Sequence, residues 1–253
     1  MTGVMTGAMT GAMTGRWDRV WVLLAVLAGW QGLYWVAGPA ALASPGAVAV
    51  RLWTLAGRAA FRADAWSTVV AFVVSGVVSV VGGVVLGAGL GVSRLAGRVM
   101  EPVLAGFYAL PKVTLYPVVL LVFGLGVSAK VAFGVMHGLV PIVLITMAAV
   151  GQVRPVLLRT ARALRLSWWD TVGRVVVPAV LPEVLGAVRI GVPLALLGVL
   201  IGEMFASRQG LGSVAMRAME ANDTATLLAV AVLLAGAALG VNAGLAWVAR
   251  AGR

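Results

Sequence analysis

The chain has 253 residues, of which 62% are hydrophobic and 11% charged, and its formal net charge is +11. A soluble domain is about 45–50% apolar and about 25% charged, so this composition holds too few charges to cover a water-exposed surface. The absence of cysteine excludes disulfides and thiolate metal sites, and one histidine with eight acids leaves little for an acid–base active site. The composition predicts a membrane protein, in which excess arginine marks cytoplasmic loops and not a nucleic-acid surface.

The chain begins with a repeated four-residue unit, MTGVMTGAMTGAMTG, which carries no charge and no periodic apolar face. We expect residues 1–16 to form a disordered tail ahead of a membrane domain at residues 17–253. A cleaved signal peptide is the alternative, because Arg16 and Arg19 precede an apolar run and Ala41–Leu42–Ala43 has the small residues of a cleavage site. The length of that run and its bulky aromatic flanks favour a spanning helix.

Six segments are long and apolar enough, or nearly so, to cross a bilayer, which takes about 20 helical residues. The predicted spans are approximately Val20–Val36, Ala65–Val92, Val103–Val122, Val131–Val150, Val184–Ala206 and Ala225–Val248. The third holds Lys112 between Pro111 and Pro117, which predicts a kinked helix lined by protein and not by lipid, and the fourth and fifth contain Pro141 and Pro193. The sequence therefore predicts an all-α, polytopic membrane fold with about six transmembrane helices.

Glycines recur at four-residue spacing in the second predicted span, at Gly83, Gly87 and Gly91. Small residues at this spacing let two helix backbones approach closely. Close packing within the chain and a subunit interface are both consistent with the pattern.

The loops differ in character. Residues 44–64 are apolar with arginines spaced along them, which predicts a short amphipathic helix on the membrane surface. Residues 207–224 are predicted to be a polar external loop, in which Glu220 and Asp223 are solvated. Most arginines lie in or beside cytoplasmic loops if the N-terminus is inside, so we expect a multi-pass inner (plasma) membrane protein with both termini cytoplasmic.

Residues 154–182 form the longest polar stretch, and on this orientation they are cytoplasmic. Ser167 can cap a short helix that begins at Trp168, and Asp170 is favourably placed in its first turn. Pro178 and Pro182 are predicted to break the chain before the fifth span. Such an element can act as a rigid knob that docks on another protein.

Polar groups inside spanning segments are costly and often functional. The candidates for a solute path are Tyr108, Lys112, His137, Glu203 and Asn242. Lys112 can attract an anionic solute, or its stem can snorkel toward an interface. Glu203 can gate or cap the path, whereas a packed histidine and interhelical hydrogen bonding are the favoured interpretations of His137 and Asn242.

The stretch Arg159–Pro182 resembles the cytoplasmic coupling loop of the permease subunits of binding-protein-dependent ABC importers, in the group handling sulfonates, taurine and nitrate. That loop reads Glu-Ala-Ala, then Gly after a short gap, and ends in an apolar-x-Leu-Pro pattern. Ala161 matches the second Ala, whereas Arg159, Thr160 and Arg165 replace the Glu, the first Ala and the Gly. Arg165 adds bulk and charge, so we expect a cognate ATPase with an acidic or widened groove.

The resemblance covers almost the whole chain after residue 16. Further matching fragments are Ser44–Pro45, Ser93–Arg94–Leu95, Glu101–Pro102, Leu110–Pro111 through Pro117, Phe123–Gly124–Leu125–Gly126, Gly202–Glu203–Met204 and Gly210–Leu211–Gly212. The family fold it implies is that of a type I ABC importer permease, acting as a homodimer with a cytoplasmic P-loop ATPase and an extracytoplasmic solute-binding protein. The residues it assigns to ATPase coupling are Arg159, Thr160, Ala161, Arg162, Arg165, Ser167, Trp168, Trp169, Asp170, Pro178 and Pro182.

The sequence contains no HExxH motif, no Ser/His/Asp spacing signal and no phosphate-binding Gly-Lys loop. We therefore expect no catalytic residues, cofactor or metal, and ATP hydrolysis by a separate subunit. The resemblance implies import of a small solute, and an anion such as an aliphatic sulfonate, taurine or nitrate agrees with Lys112. An ion-coupled secondary carrier would need mid-membrane acids and inverted repeats, and an intramembrane enzyme would need convergent polar groups; neither pattern is evident.

Overall fold

The computed structural model describes residues 16–39 and 41–251, and this part of the chain is helical without strands. The all-α prediction is confirmed. The helices are α1 (Arg16–Ala37), α2 (Pro45–Ala56), α3 (Ala59–Val92), α4 (Arg94–Ala109), α5 (Tyr116–Phe123), α6 (Val127–Gly151), α7 (Pro155–Ala163), α8 (Trp168–Thr171), α9 (Val177–Ala206), α10 (Leu211–Glu220) and α11 (Thr224–Ala251). The tail predicted for residues 1–16 lies, except for residue 16, outside the described residues.

Within the described residues, five helical segments are long and apolar enough to cross a membrane, and a sixth span results if α4 and the bent segment after it are counted together. Large apolar side chains face outward along them, among them Trp21, Val77, Leu121 and Leu239. A surface of this kind is stable in lipid and not in water. The count agrees with the predicted spans, although α3 and α9 are several residues longer than predicted.

The core is a bundle of α3, α6 and α9, which pack against one another at short backbone distances. A Cβ at Gly87 would lie 2.7 Å from the Val143 carbonyl oxygen, and one at Gly91 would lie 2.7 Å from that of Met147. The spaced glycines of α3 thus serve packing against α6 within the chain, since they are buried and not available to a second subunit.

The third predicted span is more strongly bent than predicted. It is not one kinked helix but two segments, α4 and Lys112–Phe123, which meet at 90°. Pro111 follows the last turn of α4, a 3₁₀ turn runs from Lys112 to Leu115, and Pro117 then lies in the first turn of α5. Proline is tolerated at the start of a helix because its missing N–H has no partner there, so Pro117 begins α5 and does not bend an existing helix.

The predicted break at Pro178 and Pro182 is wrong, since Trp168–Phe205 runs as one 38-residue helical segment. A π-helical turn, Val172–Val176, precedes α9, and the Val177 N–H bonds to the Val172 carbonyl, one residue farther back than in an α-helix. This wider turn makes room for the prolines, whose rings and missing N–H groups would otherwise disrupt the ladder. The fifth span is therefore continuous with the short helix of the polar loop.

Two short helices cover one end of the bundle. The predicted helix in residues 44–64 is present as α2, but its Val48 and Leu55 are buried in a cluster with Leu211 and Val230 instead of lying free on a membrane surface. Residues 207–224, predicted as a loop, contain α10, which packs against α9 and α11. Both helices are held by contacts between segments distant in sequence, which a local pattern does not record.

Candidate functional site

A buried ion pair joins α6 to α9 at the end of the bundle that α10 covers. The Lys130 Nζ lies 3.1 Å from Glu203 Oε1, and these side chains are 1% and 0% exposed. Lys130 also donates to Ser67 Oγ at 2.7 Å and to the Gln209 carbonyl at 3.4 Å. Thr68 Oγ1 donates to the Glu203 carboxylate at 2.8 Å. We call these residues, Ser67, Thr68, Lys130 and Glu203, the ion-pair cluster.

The same cluster fixes the start of α10. The first N–H groups of a helix have no partner within it and need outside acceptors. Here Gly210 N donates to Asp64 Oδ1 at 2.9 Å, Leu211 N to Thr68 Oγ1 at 2.8 Å and Gly212 N to Glu203 Oε2 at 3.0 Å. Three side chains from α3 and α9 thus hold α10 against the bundle.

Glycine is required where α10 meets the cluster. Gly210 has φ +119°, a conformation that L side chains rarely adopt, and a Cβ there would collide with the Glu203 carboxyl group. A Cβ at Gly212 would lie 2.5 Å from the Leu200 carbonyl oxygen. Two fragments noted separately in the sequence therefore pack against each other in the structure: Gly202–Glu203–Met204 and Gly210–Leu211–Gly212.

The sequence singles out Glu203 but not its partner Lys130, which lies in the first turn of α6 and is buried. The missed signal is that each is a lone charge beside an apolar segment, and opposite charges so placed are stable only when paired.

Lys112 lies at the 90° break between α4 and α5, in the 3₁₀ turn, and is 8% exposed. Its Nζ donates to the Tyr108 carbonyl at 3.1 Å and lies 4.8 Å from the centroid of the Tyr108 ring. The ammonium is thus buried beside the last turn of α4. Tyr108 itself is partly exposed beside it.

His137 on α6 is half-buried, and its Nδ1 lies 2.8 Å from the Phe133 carbonyl oxygen. A carbonyl only accepts, so Nδ1 carries the hydrogen and Nε2 is left as the free ring nitrogen. This geometry agrees with a packed, hydrogen-bonded histidine. Asn242 on α11 is exposed and forms no hydrogen bond with the residues that the structure describes.

The polar loop between α6 and α9 has the predicted helix, cap, helix order. Ser167 Oγ accepts from the Asp170 N–H at 3.1 Å and donates to Asp170 Oδ2 at 2.7 Å, which confirms the cap. Trp168 and Trp169 are 65% and 77% exposed, with ring centroids 4.4 Å apart at 81°. Arg174 pairs with Asp170 at 3.1 Å. We call residues 154–176 with these exposed indoles the tryptophan loop.

Arg165 occupies a left-handed backbone conformation, with φ +51°. It follows α7, and the Leu166 N–H bonds back to the Ala161 carbonyl at 3.0 Å, as in a Schellman C-cap. This is where the resembling loops carry Gly, so Arg165 keeps the turn and adds an exposed cation. Among the other loop residues that the sequence singled out, Ala161 is buried and Asp170 is half-buried. The exposed ones are Arg159, Thr160, Arg162, Pro178 and Pro182.

Asp223 is not solvated as predicted. Its carboxylate pairs with the Arg51 guanidinium at 2.6 Å and accepts from the Thr226 N–H at 2.9 Å, which caps α11. Burial alone would raise the pKa of Asp223, but the hydrogen bonds from Thr226 and the Arg51 charge outweigh it, so the pKa lies below its usual value. Glu220 is exposed, as predicted.

The described residues contain no group of three or more His, Asp or Glu side chains that could hold a metal ion. One helical segment, Trp168–Phe205, joins the exposed polar loop to the buried ion pair beneath α10.

Comparisons with known proteins give the family. Residues 79–251 match the family model described as binding-protein-dependent transport system inner membrane component. The putative aliphatic sulfonates transport permease protein SsuC of Escherichia coli is 30% identical over 223 residues, 85% of this chain and 83% of that protein. The riboflavin transport system permease protein RibX of Chloroflexus aurantiacus is 32% identical over 138 residues, 54% and 52% of the two chains.

The taurine transport system permease protein TauC of Escherichia coli is 27% identical over 150 residues, 59% of this chain and 52% of that protein. The match thus spans about half the length of RibX and TauC. Among solved structures, the MetNI methionine ABC transporter, described in inward-facing conformations, superposes with a TM-score of 0.66 at 21% identity, covering 77% of this chain and 96% of that one. That likeness shows a shared fold.

The resemblance drawn from the coupling-loop and glycine fragments is confirmed by these matches. They make the chain a multi-pass inner-membrane protein of a transport family, not of an enzyme family. The chain belongs to the binding-protein-dependent transport system inner membrane components, the permeases of ABC importers, and is similar to those of the sulfonate, taurine and nitrate group.

Proposed function

We propose that this chain is the membrane-spanning subunit of an ATP-driven importer, forming the path for a small solute while a separate P-loop ATPase supplies the energy. The observation that carries the proposal is the tryptophan loop. Two large, exposed indoles in edge-to-face contact lie on this arginine-rich loop, and aromatic and arginine side chains are enriched among the residues that dominate protein–protein contacts. The loop fits the role of ATPase contact that the family resemblance implies.

A mechanical link connects this loop to the other end of the molecule. The helical segment Trp168–Phe205 is continuous, and Glu203 near its far end is bonded to Lys130, Thr68 and α10. A tilt imposed on the loop would therefore move the α10 cap as part of one rigid element. Alternating access by rigid-body movement of packed helices is an established kind of transition.

The assembly follows from the same proposal. We propose a homodimer in the bilayer, with both termini in the cytoplasm, residues 17–253 as the permease domain and residues 154–182 as the coupling loop. Two ATPase subunits would contact the coupling loops, and a solute-binding protein would dock at the α10 end. The chain itself performs no bond chemistry.

The solute is proposed to be a small anion. Relatives are named for sulfonates, taurine and nitrate, and others for riboflavin and carnitine, so names alone do not select one. The ion-coupled carrier finds no support in Glu203, because that acid is paired with Lys130 at a helix end and is not free to take up an ion.

The test is purification of the tagged chain in mild detergent from its own host, with co-purifying proteins identified by mass spectrometry. We expect a P-loop ATPase in the wild-type complex and weaker association in Arg165→Glu. Arg98→Glu, an exposed arginine outside the loop, is the matched control and is expected to retain the ATPase. Purification without an ATPase, or equal loss in both variants, would contradict the proposal.

A further inference from the structure

Two lysines are buried in this chain, and their surroundings differ. Lys130 has a carboxylate, a hydroxyl and a carbonyl as hydrogen-bond acceptors. Lys112 has one backbone carbonyl, that of Tyr108, and the face of the Tyr108 ring. Among the described residues no carboxylate lies within ion-pairing distance of Lys112. An ammonium has three N–H donors, so Lys112 lacks both a counter-ion and most of its hydrogen bonds.

The backbone at Lys112 gives a second, independent indication. The chain turns through 90° between α4 and α5 with Lys112 in a 3₁₀ turn. Irregular backbone at membrane depth is tolerated only where it is buried in protein or lines a polar cavity. The break at Lys112 therefore faces protein or a polar cavity and not lipid.

A second polar group on the same turn is also unsatisfied. Tyr116, which follows the 3₁₀ turn, is buried, and its hydroxyl finds no hydrogen-bond partner among the described residues. Its ring lies edge-on to Phe133, with centroids 5.2 Å apart. Lys112 and Tyr116 thus bring unmet hydrogen-bond donors to the turn between α4 and α5.

We propose that Lys112 and Tyr116 form a binding site, here called the Lys112 site, for the oxyanion group of the transported solute. The ammonium supplies the charge, and the Tyr116 hydroxyl supplies a further donor. A sulfonate, carboxylate or nitrate presents two or three acceptor oxygens on one small centre, which matches donors grouped around a single turn. The Tyr108 ring would pack beside the ammonium and leave an apolar side for a short aliphatic group. This inference rests on the proposed function and specifies its solute.

The test is equilibrium binding to the purified permease–ATPase complex in detergent, without the solute-binding protein, measured by isothermal titration calorimetry. The probes are ethanesulfonate, taurine and nitrate, with ethyl methyl sulfone as an uncharged analogue of ethanesulfonate. We expect wild type to bind anions and to bind the sulfone much more weakly. Lys112→Gln should weaken anion binding by at least about tenfold, and Lys112→Arg, which keeps the charge, by less than about threefold.

Tyr116→Phe removes only the hydroxyl and should weaken binding by about threefold to tenfold. Folding is checked by the melting temperature, which Lys112→Gln should leave unchanged or raise, because it removes a buried charge without a partner. Three results would overturn the Lys112 site. They are an unchanged anion affinity in Lys112→Gln, equal binding of the sulfone and the anions, and no binding of any of the three anions by wild type.

The Lys112 site and the importer proposal can be tested separately. If the ATPase co-purifies but anion binding does not depend on Lys112, the Lys112 site is overturned and the importer proposal is retained. If anion binding depends on Lys112 but the chain purifies without any ATPase, the Lys112 site is retained and the importer proposal is contradicted.

Discussion

The ammonium of Lys130 and the carboxylate of Glu203 lie 3.1 Å apart, almost wholly inaccessible to solvent, where α3, α6, α9 and α10 meet. Removing one member of such a pair leaves the other charge buried without compensation. The pair therefore helps to hold α10 against the end of the bundle. We expect the ends of α6, α9 and α10 to move together only while the pair is intact.

Glu203→Gln should destabilise the protein strongly, because the Lys130 charge would lose its counter-ion. Loss of one partner of a buried pair costs about 3–5 kcal/mol. The measurement is thermal or denaturant unfolding of the detergent-solubilised protein. Glu101→Gln, which alters an exposed carboxylate, is the control and should change stability by less than about 0.5 kcal/mol.

A double-mutant cycle sharpens this expectation. Lys130→Met combined with Glu203→Gln should lose less stability than the sum of the two single changes, since the double variant retains no uncompensated charge. Additive losses would show that the two side chains act independently, contrary to the ion pair seen here.

Gly87→Ala should destabilise the packing of α3 on α6. Its Cβ would lie 2.7 Å from both the Val143 carbonyl oxygen and the Thr146 Cβ, and overpacking of this kind costs about 1–3 kcal/mol. Gly89 is two residues away on the exposed side of α3, with nothing within 4 Å of its Cβ position.

Gly89→Ala is thus the matched control and should be neutral or stabilising by up to about 1 kcal/mol, since alanine favours the helix. Melting temperatures of the two variants in the same detergent provide the comparison. Equal effects in both would argue against close α3–α6 packing.

Arg165→Gly should stabilise the turn after α7, because the left-handed conformation at φ +51° costs a non-glycine residue about 1 kcal/mol or more. Arg165→Val, β-branched at the same φ, should destabilise it by a comparable amount. Hydrogen exchange at the amides of Leu164–Leu166 reports the local stability of the turn. Greater protection in the Val variant than in the Gly variant would contradict the assigned conformation.

The Asp223–Arg51 contact should loosen in acid. The pKa of Asp223 is lowered in the fold, so its contribution to stability is complete above the unfolded value of about 3.9 and is lost as pH falls through the folded value. The protection of the α2 amides, measured relative to their intrinsic exchange rates at each pH, should therefore fall below about pH 4. Asp223→Asn should remove this acid-dependent step, and an identical pH profile in the variant would assign the step to another group.

Much of the architecture was predictable from the sequence because a bilayer dictates helix length and polarity. The spans and the Ser167 cap follow from local rules. The continuity of α9 through Pro178 was not predictable, since it depends on a π-helical turn that only the backbone reveals. A proline pattern alone favours a break.

The site was predictable only in part, and the pairing of its charges was not predictable. Lys112 and Glu203 were singled out as charges in apolar segments, and both are buried. That Glu203 bonds to Lys130 and to the start of α10, whereas Lys112 has no counter-ion, depends on how α6 and α9 come together. Such contacts join residues 73 positions apart in the chain and leave no periodic signal.

ATP hydrolysis by the reconstituted complex tests the central claim most directly. The permease, its co-purifying ATPase and the solute-loaded binding protein would be combined in proteoliposomes, and phosphate release measured with each component omitted in turn. The importer account expects the loaded binding protein to stimulate hydrolysis only when the permease is present. Hydrolysis that is unchanged when the permease is left out would contradict it.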